Sequence, residues 1–137
     1  MDIGNPLNIH PANKQDVGHR LALWALAKTY KKNVECSGPV YTSSRKSKDK
    51  IALTFDHVGN GLVVVGGPQG NNFQIAGEDK VFKPAKIRVK GKTVEVFNEG
   101  IPHPQSVRYA FTNVAQATLF NSEGLPASSF RTDDWKP

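Results

Sequence analysis

The residue best suited to chemistry lies near the start of the chain. His10 sits in the loop Asp2-Ile-Gly-Asn-Pro-Leu-Asn-Ile-His10-Pro11, where Gly4, Pro6 and Pro11 break any regular period. An imidazole titrates near neutral pH, so a histidine presented by such a loop can take up and return a proton. The partners of that chemistry are hard to find downstream. No Gly-Asp-Ser or Gly-x-Ser-x-Gly nucleophile motif occurs. The serines, at 37, 43, 44, 47, 106, 122, 128 and 129, all fall in segments that read as strands or turns. His19 reads as a helix-surface residue, and His57 and His103 belong to turns, with no spacing that suggests a zinc site. Cys36 is the single cysteine, which excludes an internal disulfide and any CxxC metal or redox pair. Arg108 and Arg131 could grip a carboxylate. The plainer reading is that Arg108 points outward from a strand and Arg131 ties the tail to the body.

The element that must carry the His10 loop is the helix after it. Asn13 is a good N-cap, and Asp16 three residues on suits the positive end of the helix. The pattern predicts a helix from about residue 14 to residue 30, closed by Lys28, Lys31 and Lys32. Gly18 is a poor helix former and suggests a close neighbour on its side. The centre, Leu21-Ala-Leu-Trp-Ala-Leu-Ala27, is apolar all round, whereas a helix lying on one sheet needs a single apolar stripe. Such a helix is either sandwiched within its own domain or built to pack inside a larger body; the second is the favoured expectation. Trp24 then reads as a packing residue rather than a sugar-stacking platform.

Beyond residue 33 the period changes to two. Strands are predicted over residues 40–43, 51–55, 62–65, 73–75, 81–82, 85–89, 93–97, 107–111 and 117–120. Residues 45–50 and 59–61 are read as loops, Gly91-Lys92 as a hairpin turn, Gly66-Gly67 to Gly70 as a turn, and 121–137 as an irregular tail. Short antiparallel strands at this spacing predict a mainly β chain: an antiparallel, jelly-roll-like β-sandwich preceded by one helix. Two segments are expected, 1–33 with the loop and helix, and 34–137 with the sandwich.

Composition narrows the classes. The net charge of +6 raises the question of a polyanionic partner, but the one cluster, Arg45, Lys46, Lys48 and Lys50, lacks interleaved aromatics. It reads as a solvated loop, and no nucleic-acid partner is expected. The longest apolar run is seven residues, against roughly 20 for a membrane span, so no membrane partner is expected either. The first fifteen residues carry no basic and apolar leader pattern. No motif calls for a cofactor.

Five stretches in order resemble one family: the His10 loop, Lys14-Gln-Asp-Val-Gly-His-Arg-Leu-Ala-Leu23, Ser37-Gly-Pro-Val-Tyr41, Val107-Arg-Tyr-Ala-Phe111, and Asn121-Ser-Glu-Gly-Leu-Pro-Ala-Ser-Ser-Phe-Arg-Thr-Asp133. They are similar to the C-terminal part of sialate O-acetylesterases, serine esterases of the SGNH-hydrolase type that remove O-acetyl groups from sialic acid. The resemblance implies that His10 is the catalytic base and that the helix is the last one of an SGNH α/β domain. It implies a periplasmic or extracellular parent enzyme whose nucleophilic serine and oxyanion hole lie upstream. The family usually has Asp where this chain has Asn8, so Asn8 stands at the acid position and Asp2 is a weak substitute. Arg108 and Arg131 would be the candidates for the sialic acid carboxylate.

Two functions are therefore expected as alternatives. One is a C-terminal esterase fragment, inactive alone, that meets acetylated sialic acid or a related sugar through the parent enzyme. The other is a self-standing β-sandwich module that binds carbohydrate or protein. In either case the helix at 14–30 should seek cover, from the missing catalytic domain or from a second copy.

Overall fold

The computed structural model describes residues 2–10, 12–67 and 70–136. Pro11, the turn residue of the histidine loop, lies outside them, as do residues 68–69 of the expected glycine turn and the last residue of the tail. Helix α1 spans Lys14–Trp24 and continues as a π-helical turn over Ala25–Thr29, so the predicted helix is present with a wider last turn. The Asn13 side chain accepts the Asp16 backbone N–H at 3.1 Å and donates to the Asp16 carboxylate at 2.7 Å, capping the first turn. Lys31, at φ 55°, ends it. Among the described residues the neighbour expected at Gly18 is absent: a Cβ there would meet nothing within 4 Å. The helix buries none of its residues.

Ten antiparallel strands follow among the described residues: β1 (Val40–Lys46), β2 (Lys50–Asp56), β3 (Leu62–Val64), β4 (Phe73–Ala76), β5 (Lys83–Pro84), β6 (Lys86–Lys90), β7 (Thr93–Phe97), β8 (Ser106–Tyr109), β9 (Leu119–Asn121) and β10 (Phe130–Arg131). One sheet has the order β1-β2-β7-β6, the second β10-β8-β4-β5, and β3 pairs with β9. Alternation places Ile51, Leu53, Phe55, Val94 and Val96 on the inner face of the first sheet. They share one core with Phe73, Ile75, Val107 and Tyr109 of the second. This is a β-sandwich preceded by a helix.

The structure departs from the expected pattern at several places, including β8 and β9, which are shorter than expected. The basic cluster is only partly loop: Arg45 and Lys46 extend β1, leaving the turn to residues 47–49. Strand pairing falls at Lys83–Pro84 rather than at 81–82. The tail holds β10, a two-residue strand that its composition conceals. The basic residues have a structural use at the borders of the first sheet. Arg45 and Lys46 on edge strand β1, and Lys86, Arg88 and Lys90 on edge strand β6, discourage edge-to-edge pairing with other chains.

Buried polar groups tie the loops to this frame. The Tyr109 hydroxyl accepts the backbone N–H groups of Thr118 and Leu119, each at 2.7 Å. Asn121 is 1% exposed and donates to the carbonyls of Ser37 at 2.9 Å and His57 at 3.0 Å, while its amide oxygen accepts the Leu125 N–H. Gly38 must be glycine, because a Cβ would collide with the Pro126 carbonyl.

Candidate functional site

The histidine loop is held by its own short polar side chains. The Asn5 amide oxygen accepts the Leu7 N–H at 2.9 Å, and the Asn5 carbonyl accepts the Asn8 N–H at 3.2 Å. The Asn8 amide oxygen accepts the His10 backbone N–H at 2.9 Å. These Asx-type bonds are why an Asn-rich, Pro-broken stretch without regular structure can still hold a defined course. The result presents His10 at the surface, between Ile9, 90% exposed, and the start of the helix.

Asp2 points elsewhere. Its carboxylate takes two hydrogen bonds from Arg20, at 2.8 and 2.6 Å, in a half-buried pair. That bond holds the Asp2 carboxyl below its usual range, and the same carboxylate raises the Arg20 guanidinium. The pair clamps the beginning of the loop to the helix. Asn8 positions the His10 main chain, and among the described residues no side chain hydrogen-bonds the His10 ring. The structure thus brings Asp2, Asn8 and His10 into one loop but links neither acid-position candidate to the imidazole.

Arg108 and Arg131 lie on the paired strands β8 and β10. The Arg108 guanidinium binds both oxygens of Asp133, at 2.9 and 2.7 Å, and lies 4.0 Å from the centre of the Phe82 ring. Arg131 approaches the same carboxylate at 4.0 Å and donates to the Trp135 carbonyl at 3.4 Å. The arginines face a carboxylate of their own chain, which fastens the tail to the sandwich.

The loop meets the sandwich at a feature that no motif announced. Residues 4–6, Ala110 and the segment 112–116, together with Ser129, line an open surface pocket of about 350 Å³. Ala110 holds a left-handed backbone at φ 47° and donates its N–H to the Asn72 carbonyl at 2.9 Å. Asn72 is itself left-handed, at φ 58°, and its side chain donates to the Gln116 carbonyl at 2.6 Å. The segment is therefore pinned at both ends. Its only sequence signal is a polar Thr112-Asn113 after a strand.

No family model matches the chain, and no curated protein matches it. Among solved structures it is similar to a carbohydrate acetylesterase from Xanthomonas citri, with 44% identity and a TM-score of 0.90. The match covers 98% of this chain but 31% of that one. The chain is related to an esterase and spans about a third of that esterase's length.

Proposed function

We propose that this chain is the histidine-bearing portion of an exported carbohydrate O-acetyl ester hydrolase, with the serine nucleophile supplied by a segment outside these residues. The observation that carries the reading is the 44% identity, over 98% of the chain, to a carbohydrate acetylesterase about three times as long. In this reading His10 takes the proton of a serine that attacks the acetyl carbonyl, then returns it to the departing sugar oxygen. Asn8 fixes the main chain of His10, and the Asp2–Arg20 clamp sets where the loop leaves the helix. The oxyanion hole would come with the nucleophile. Sialic acid as the sugar rests on the family resemblance alone, and Arg108 and Arg131, both engaged within the chain, lend it no support.

The uncovered helix is consistent with this. Leu21 is 67% exposed and Trp24 49%, apolar surface that a neighbouring α/β body would cover. The same surface equally favours the second reading, a sandwich module that pairs through its helix.

A chimera tests the proposal. Placed in the Xanthomonas citri enzyme instead of its matching segment, this chain should support hydrolysis of p-nitrophenyl acetate, and His10→Ala should lower kcat by about 10³-fold or more. Alone, the chain should show no turnover above its His10→Ala variant. A chimera equally active with and without the imidazole would end the reading.

A further inference from the structure

We propose that the outer face of the sheet β1-β2-β7-β6 is a docking surface for a linear polysaccharide that carries carboxylates along its length. That the polymer is a polyanion rests on the face itself; that it is a glycan rests on the carbohydrate-esterase reading above.

The strand register decides what this face presents. Leu53 and Val94 turn into the core, so the alternate residues of the same strands turn outward. One row across the sheet is Arg45, Ala52, Glu95 and Arg88. The next row is Lys50, Phe97 and Lys86, and on the other side Thr54 and Thr93 lead to Lys90. Five cations, Arg45, Lys50, Lys86, Arg88 and Lys90, therefore share one open face with Glu95. Asp56 lies at its far end, beyond the last residue of β2 that pairs with β7. All five cations are exposed except Lys50, which is half-buried, and the uncovered helix packs none of its residues away.

The face keeps an excess of positive charge after its own pairings. Glu95 receives both Lys50, at 3.2 Å, and Lys90, at 3.1 Å, on the same oxygen. Glu99 at the border takes Lys86 at 2.6 Å. Pairs in such open positions are worth roughly 0–1 kcal/mol, so a polyanion can exchange them at little cost. Among the described residues no carboxylate pairs with Arg45 or Arg88. These two stand on the opposite edge strands of the sheet, about 14 Å apart across three strand spacings. One small anion cannot reach both; successive charges on a polymer can.

The groups between the cations narrow the polymer's class. Single-stranded nucleic acid calls for exposed rings on which bases stack, and the one ring of this face, Phe97, is half-buried between Lys50 and Lys86. A membrane surface calls for apolar side chains that enter it, and here Ala52, Thr54 and Thr93 stand instead. Spaced cations beside threonine hydroxyls suit a chain of sugar hydroxyls and carboxylates. A polymer held there would raise the effective concentration of the parent enzyme's glycan without touching the catalytic loop.

Calorimetric titration of the chain with polygalacturonate at low ionic strength is the test. Binding should appear, and it should weaken steeply as salt rises to about 0.15 M. Arg45→Glu with Arg88→Glu, at two exposed positions, should weaken it about ten-fold or more, and Arg45→Gln with Arg88→Gln by less. Lys14→Glu with Lys32→Glu makes the same change in net charge away from the sheet and should weaken it less than about two-fold. Absence of binding, equal losses in the two charge-reversed variants, or tighter binding of duplex DNA or of phosphatidylglycerol vesicles would each overturn the proposal. The titration involves no turnover, so it can fail while the chimera is active, or succeed while the chimera is dead.

Discussion

Arg108 and Asp133 form a two-point ion pair across the end of the sandwich. The Nε and Nη2 atoms donate to the two carboxylate oxygens at 2.9 and 2.7 Å. The Asp133 side chain is fully covered, while Arg108 keeps 22% of its side chain exposed. Ser106 and Thr132 extend the link: the Ser106 hydroxyl donates to Asp133 at 3.2 Å, and the Thr132 hydroxyl accepts the Val107 N–H at 2.9 Å. Residues 130–133 are thereby fastened to β8.

The two halves of that pair should not be equivalent. Arg108→Ala leaves a covered carboxylate with only the more distant Arg131, at 4.0 Å, and removes the guanidinium stacked on Phe82, and should cost about 3 kcal/mol. Asp133→Ala leaves an arginine that can turn to water, and should cost about 2 kcal/mol. Urea unfolding of the two variants measures the difference.

Acid should weaken the fold through the same carboxylate. The hydrogen bond from Arg108 is the main reason that the Asp133 pKa is depressed, against the opposing effect of burial. A depressed folded pKa gives stability that is present above the unfolded value of about 4 and is lost as pH falls through the folded one. Asp2 behaves alike through Arg20. Stability measured from pH 6 downward should therefore hold to about pH 4 and then decline, and the decline should be shallower in Asp133→Asn.

Tyr109→Phe probes a different joint. The hydroxyl serves two backbone N–H groups at once, one of them on fully buried Leu119, and its loss strands both. The expected cost is about 2 kcal/mol, with hydrogen exchange at residues 118 and 119 accelerated before that of β2 and β7.

The helix should make the chain associate with itself when no other body covers it. Light scattering at increasing concentration should show dimers or larger species, and Leu21→Gln with Trp24→Gln should return it to a monomer. A wild-type chain that stays monomeric at high concentration would count against the helix as a docking face.

Much of the fold was legible in the residues. Period-two alternation in Ile51–Phe55 and Thr93–Phe97 depends only on which face of a strand is dry, and those strands stand where expected. The N-cap at Asn13 is equally local. The motifs that carried the family resemblance proved to be partly structural. Ser37–Tyr41 meets 121–130 through Asn121 on Ser37, Gly38 against Pro126, and Tyr41 stacked on Phe130 at 4.9 Å. Val107–Phe111 meets 130–133 through Arg108 and Asp133.

Local pattern was enough to read a histidine in a proline-broken loop, a capped helix with an all-apolar centre, and a sandwich of short strands. Each follows from local periodicity, capping or turn chemistry, which neighbours along the chain decide. Long-range packing alone shows that Asp2 serves Arg20, that Arg108 serves Asp133, and that residues 110–116 stand beside the turn leading to His10. Those pairings join residues 18, 25 and more than 100 positions apart, and no local pattern records which distant partner a side chain will meet. The loop that carries His10 was readable in advance, but the wall beside it exists only because the chain returns there.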